Sequence, residues 1–171
     1  INFFKIIIFS FVIFFLLIFF LGLKKNSNYN TKNLIGSKIS SFLLPSIYSS
    51  DLISEEALKQ NQFTLINFFA SWCAPCRQEH KYLLKLNNQN KNIKILGINF
   101  KDKKNNALIF LNELGNPYNS VLEDPDGRAS VLFGIYGIPE SILINKELTI
   151  IKKIIGPIDK KQLEEILNLT L

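Results

Sequence analysis

The chain has 171 residues, 47% of them hydrophobic, and a formal net charge of +6. That length allows one domain with a real core plus an appendage. Two cysteines and one histidine are too few for a structural zinc site, which takes about four ligands. The lysines (Lys24, Lys25, Lys32, Lys91, Lys94, Lys101, Lys103, Lys104) are scattered among asparagines. They read as a solvated basic surface and not as a nucleic-acid site, with an acidic or membrane-surface partner as a secondary reading.

From Ile6 to Leu23 the sequence is almost uninterruptedly apolar, and with Phe3 and Phe4 it reaches the roughly 20 residues that cross a bilayer as a helix. Residues 3–23 are therefore expected to form a transmembrane signal anchor. The run exceeds the 7 to 15 residues or so of a cleaved signal's apolar region and ends without an A-x-A-like site. It has no polar face, which argues against a buried core helix. Lys5 precedes the span and Lys24 and Lys25 follow it, so the positive-inside rule gives no clean orientation. Residues 24–38, rich in Asn, Lys and Ser, read as a polar tether. The remainder, 39–171, reads as one domain without internal repeats.

Within that domain, Ile39 to Pro45 suggests a short edge strand closed by proline. Ser54 with Glu55 and Glu56 suggests the capped start of a short helix. Phe63 to Ala70 reads as a buried central strand, Arg77 to Asn87 as a helix, and Ile93 to Phe100 as a second buried strand. Lys103 to Leu114 is an amphipathic helix with Ala107, Phe110, Leu111 and Leu114 on one face. Asn119 to Leu122 is a short strand and Asp124 to Gly127 a turn. Arg128 to Phe133 is a brief helix. Ser141 to Asn145 and Thr149 to Ile155 form two strands joined by a tight turn. Asp159 caps a last helix, with Gln162 at the capping-box position and Leu163, Ile166 and Leu167 on its buried face. Strands alternating with helices, then a hairpin and a final helix, give an α/β sheet covered on both faces.

The only two cysteines lie in Trp72-Cys73-Ala74-Pro75-Cys76, between the central strand and the helix that follows. Thiols at this spacing at a helix start lie one turn apart. The helix N-terminus, with unpaired N–H groups and partial positive charge, favours the thiolate of Cys73. Thiolate is the reactive form, so Cys73 is placed to attack and Cys76 to resolve. A purely structural disulfide is the alternative, but one closing so short a loop constrains little of the unfolded chain.

A second candidate segment is Gly134-Ile135-Tyr136-Gly137-Ile138-Pro139-Glu140. Pro139 stands directly before an apolar strand and has no N–H to give the sheet. A cis Ile138–Pro139 bond would expose the Ile138 backbone to an extended peptide, whereas an ordinary turn into the strand would not; spacing alone leaves the two equal. If Pro139 faces Cys73, Glu140 lies near the thiols, and desolvation would suit it to shuttle protons. Glu79, three residues after Cys76, is a second candidate. The alternative for each glutamate is a solvated surface charge. His80, without metal-ligand partners in the sequence, reads as structural or exposed.

Leu65 to Cys76 resembles the thioredoxin-like motif of membrane-tethered bacterial thiol-disulfide proteins. Arg77-Gln78-Glu79-His80 follows it. Gly97 to Asp102 resembles a "GxNYKD" run, Glu113 to Tyr118 an "ELGNPY" run, and Gly134 to Ser141 a "GVYGxPET" run. Together these stretches are similar to the DsbE/CcmG family of cytochrome c biogenesis proteins, over roughly Leu34 to Leu171. The resemblance implies a thioredoxin-like fold, with a central mixed sheet flanked by helices, on the periplasmic side of the bacterial inner membrane behind a single-pass anchor. It implies a dithiol that reduces apocytochrome c or a haem-ligation partner and is re-reduced by a membrane donor of the DsbD or CcdA type. It also implies a cis Pro139, functional roles for Glu79 and Glu140, and substrate contacts at Trp72, Tyr136 and Ile138. No cofactor of its own is implied, haem belonging to the product pathway. Asn67 departs from the buried aspartate that thioredoxin proper carries six residues before its first cysteine, which moves the acid–base role toward Glu79 or Glu140. Phe100 and Ser141 are milder departures, from tyrosine and threonine. The competing functions are a general periplasmic disulfide reductase or oxidant, and a non-enzymatic apocytochrome adaptor.

Overall fold

A computed structural model describes residues 2–23 and 34–170. Most of the polar stretch read as a tether, residues 24–33, lies outside the described residues. Helix α1, Asn2–Leu23, is continuous, and its Phe3–Gly22 portion is long and apolar enough to cross a membrane.

The domain is built on a five-stranded sheet of β3 (Phe63–Phe69), β4 (Ile93–Phe100), β5 (Ser120–Asp124), β6 (Glu140–Asn145) and β7 (Ile150–Ile155), in the order β5-β4-β3-β6-β7. The first three run parallel, and β6 and β7 continue the sheet antiparallel. Strand β3 is central because its side chains are apolar toward both faces. Alternation sends Leu65 and Phe69 into one core and Ile66 and Phe68 into the other. The first core also takes Leu83 and Leu86 from α2 (Ala74–Gln89), Ala107, Phe110 and Leu111 from α3 (Lys104–Leu114), and Leu163 and Ile166 from α5 (Lys160–Thr170). The second takes Phe133 and Ile135, which follow α4 (Arg128–Leu132), together with Ile39 and Phe42. Each fully buried Leu, Ile or Phe contributes roughly 1.5–3 kcal/mol of burial free energy, which explains why both faces are covered.

The mixed α/β architecture and nearly every expected element are present. The expected edge strand over Ile39 to Pro45 is reduced to β1, Leu43–Pro45, and it does not join the main sheet. It pairs antiparallel with β2, Leu52–Ser54, which the sequence reading left out. The short helix after Ser54 is 3₁₀, spanning Glu55–Gln60, and the Ser54 side chain makes no cap bond. Glu55 instead accepts from the Phe42 N–H at 2.9 Å, a long-range tie no local motif announces. At α5 the expected capping box forms in both directions, Gln162 N to Asp159 Oδ1 at 2.9 Å and Asp159 N to Gln162 Oε1 at 3.0 Å. Ahead of residue 39, Leu34 packs on the second core and the Gly36 N–H binds Ile150 O.

Candidate active site

The site forms where β3 ends and α2 begins. Cys73 is the N-cap of α2 and Pro75 occupies its first turn, where a missing N–H costs nothing. Cys73 and Cys76 are joined in a disulfide, their Cα atoms 5.3 Å apart. Cys73 Sγ accepts the Cys76 N–H at 3.2 Å, so a free N–H of the helix start is already aimed at the sulfur that would carry charge.

Glu79 lies one turn beyond Cys76 on α2, and only 1% of it is exposed. Its Oε1 accepts from Asn67 Nδ2 at 2.8 Å and its Oε2 from the Ile158 N–H at 2.7 Å. Burial pushes its carboxyl up to about 7, against the opposing pull of those two donors. Asn67, on β3, uses its second amide hydrogen on Ser141 Oγ at 3.0 Å, and its Oδ1 accepts from the Tyr118 hydroxyl at 2.7 Å. Tyr118 is held well above the ordinary phenol range, first by burial and then by the Glu79 charge, so it is a neutral donor. Its ring stacks on Phe69 at 4.8 Å. Asn67, Glu79, Tyr118 and Ser141 thus form one connected buried network, whose Glu79 lies one turn beyond Cys76 on α2.

Trp72 is 59% exposed, and its indole N–H donates to Lys101 O at 3.2 Å. Asp102 Oδ2 accepts the Ser71 N–H and its Oδ1 the Lys103 N–H, both at 2.8 Å. Asp102 therefore fastens the residue ahead of the motif to the start of α3. His80 Nε2 meets Gly115 O at 2.7 Å, its ring edge-on to Phe110 and Tyr118. Burial holds its pKa below the ordinary histidine range. A packing role fits it better than proton transfer.

The Ile138–Pro139 bond is cis. Ile138 packs against both cores, including the one that contains Cys73 and Cys76, while Tyr136 is 78% exposed. Glu140 is buried, but its carboxylate is already engaged. Oε1 accepts the N–H groups of Tyr136 and Gly137, each at 3.1 Å, and Oε2 lies 2.9 Å from Lys153 Nζ. It differs in this from Glu79, whose partners among the described residues are the neutral Asn67 amide and the Ile158 N–H.

Three participants escaped the sequence reading. Tyr118 and Asp102 were visible only as members of resemblance motifs, without a role. Lys153 did leave a signal. Two consecutive lysines in the apolar strand Ile150–Ile155 face opposite sides, so one of them must point inward.

Residues 36–168 match the Redoxin family. The thiol:disulfide interchange protein CycY of Rhizobium leguminosarum bv. viciae is 46% identical over 113 residues, 66% of this chain and 60% of that protein. The thiol:disulfide interchange protein DsbE of Pseudomonas aeruginosa is 40% identical over 128 residues, covering 75% of this chain and 70% of its own length. A crystal structure of a candidate thiol:disulfide interchange protein DsbE from Chlorobium tepidum superposes with a TM-score of 0.70 at 25% identity, over 80% of this chain and 96% of that one.

Proposed function

The chain belongs to the Redoxin family and to the DsbE thiol:disulfide interchange proteins, and from that premise we propose that it is a membrane-anchored periplasmic reductase serving cytochrome c maturation. The observation that carries the thiol-disulfide exchange reading is the Cys73–Cys76 disulfide at the start of α2, with the buried carboxyl of Glu79 one turn along the helix. In the reduced protein Cys73 thiolate attacks one sulfur of a substrate disulfide, and the other sulfur leaves as a thiolate and takes a proton. Cys76 then gives up its proton to Glu79 and attacks Cys73 Sγ, and the second substrate sulfur leaves as a thiolate that takes that proton from Glu79. The substrate is released as a dithiol and the Cys73–Cys76 disulfide is formed; two electrons have moved to the substrate, with one proton relayed from Cys76 and the other, shed when Cys73 ionised, returned by water.

Apocytochrome c, or a haem-ligation partner, is the proposed substrate, and a membrane donor of the DsbD or CcdA type the proposed source of electrons. The motif stretches 97–102, 113–118 and 134–141 support this over a general reductase. Helix α1 supports the anchor. Trp72, Tyr136, Ile138 and Pro139 are the proposed substrate contacts, and Glu79 the acid–base group. Glu140, engaged by Lys153 and two loop amides, is proposed to hold the loop.

The test is the reduction potential of the full chain in detergent, equilibrated against glutathione or dithiothreitol. A value near or below about −270 mV supports the reductase; one near about −120 mV marks an oxidant and overturns the assignment.

A further inference from the structure

Lys153 is a charged side chain with no exposed surface, on the sheet face that carries Ile142, its cross-strand partner. Its neighbour Lys152 reaches Glu165 of α5 on the opposite side, where both retain solvent contact. Sequestering an ammonium and a carboxylate costs more than burying apolar groups of the same size, so such a pair is weak evidence for stability alone. What it does geometrically is specific. Lys153 Nζ donates to Gly134 O and forms an ion pair with Glu140 Oε2 at 2.9 Å. Glu140 Oε1 in turn gathers the N–H groups of Tyr136 and Gly137. One buried ion pair therefore ties both ends and two central amides of the loop from Gly134 to Glu140. That loop displays Tyr136 to solvent and seats Ile138 in the same core as the two cysteines.

We propose that Lys153 is a positioning residue for peptide disulfides, pinning the 134–140 loop so that Tyr136 and Ile138 meet a polypeptide whose disulfide is exchanged at Cys73. This rests on the reading of those two residues as substrate contacts. A small disulfide needs only the sulfur of Cys73 and gains nothing from the loop. In both reactions the substrate disulfide gains two electrons and the Cys73–Cys76 dithiol loses them; the dithiol's two protons end on the peptide thiols in one case and pass to water in the other, where nitrothiobenzoate leaves as the thiolate.

The experiment uses the reduced full chain in detergent, with oxidation followed by fluorescence of Trp72, the chain's one tryptophan. The two probes are a synthetic peptide closed by a Cys-x-x-Cys disulfide and the small aromatic disulfide dithionitrobenzoate. Lys153→Met slows the peptide reaction roughly ten- to a hundredfold, the scale of a misplaced binding element, and leaves the small disulfide within about twofold. Lys153→Arg restores the peptide rate. Where Lys153→Met alone does not fold, the double variant Glu140→Gln/Lys153→Met, which buries no unpaired charge, shows the same split. Equal slowing of both probes, or wild-type peptide rates in a folded variant, overturns the proposal. Tyr136→Ala separates the two levels. If it leaves the peptide rate unchanged, the loop is not a substrate contact; if it slows the peptide while Lys153→Met does not, Lys153 alone has failed.

Discussion

Asn67 donates its side-chain N–H to Glu79 Oε1 across 2.8 Å, where both residues are sealed from solvent. The donor favours the carboxylate and the burial favours the acid. Burial wins, carrying the Glu79 carboxyl from its ordinary 4.5 to about 7. An amide in place of a second carboxylate is what keeps this a single titration and not a coupled pair.

Stability must therefore depend on pH through Glu79. Between about 4.5 and about 7 the folded chain holds a proton that the unfolded chain has released. The contribution is fully present below the unfolded value and lost as pH rises through the folded one, on the order of 3 kcal/mol in all. His80, depressed by burial, acts in the opposite sense. The difference between wild type and Glu79→Gln isolates the carboxyl. Urea unfolding of the oxidised full chain at pH 4 to 8 is expected to show that difference falling toward pH 7 and then levelling. A difference that stays constant with pH sinks the assignment. If Glu79 also moves the Cys76 proton, Glu79→Gln slows disulfide exchange by roughly a hundredfold.

Tyr118 sets the orientation of that amide. With its hydroxyl on Asn67 Oδ1, both Asn67 hydrogens are committed to Glu79 and Ser141. Tyr118→Phe leaves Oδ1 buried without its donor, at a cost of about 1–3 kcal/mol. The freed amide can then turn its oxygen toward Glu79, replacing a bond that favours the carboxylate with one that favours the acid. The pH at which the stability difference levels is expected to move above 7. A loss of stability with no movement of that midpoint would show that Tyr118 only packs.

What was legible in the sequence was local. The dithiol, the buried run at Phe63–Phe69 and the Asp159–Gln162 box are set by spacing within a few residues. What was not legible depends on sheet order. Asn67 meets Tyr118 across 51 residues, and Glu140 meets Lys153 only because β6 and β7 lie side by side. Strand β2 was missed for a related reason: three residues are too few to show a period, and its partner β1 fixes it. Glu79 and Glu140 looked equivalent as sequence, yet one faces amides and the other a buried ammonium.

The order of attack can be read by trapping. Cys76→Ser removes the resolving sulfur, so exchange at Cys73 stops at the mixed disulfide. The full-length variant, expressed in cells making c-type cytochromes, is expected to accumulate dithiothreitol-sensitive adducts, identified by mass spectrometry as apocytochrome or a haem-ligation protein. Cys73→Ser is expected to give none. Adducts carried by Cys73→Ser instead would reverse the roles of the two cysteines.

Gly97 probes the same network from the sheet. A methyl group at this position of β4 would sit 2.9 Å from Tyr118 Cγ and 3.0 Å from Phe69 Cε1, inside contact distance of two stacked rings in the core. Neither ring is a flexible chain end, so one must shift, and overpacking of this kind costs about 1–3 kcal/mol. Gly137, by contrast, has open space where its Cβ would be. Gly97→Ala is expected to lower the unfolding midpoint of the oxidised chain, with Gly137→Ala within about 0.5 kcal/mol of wild type. The ring that yields decides the second effect. If Tyr118 moves, its hydroxyl leaves Asn67 and the Glu79 midpoint climbs as in Tyr118→Phe. If Phe69 moves instead, stability falls while the pH profile stays in place. Wild-type stability in Gly97→Ala would mean that the stack is loose and that Tyr118 does not fix the orientation of Asn67.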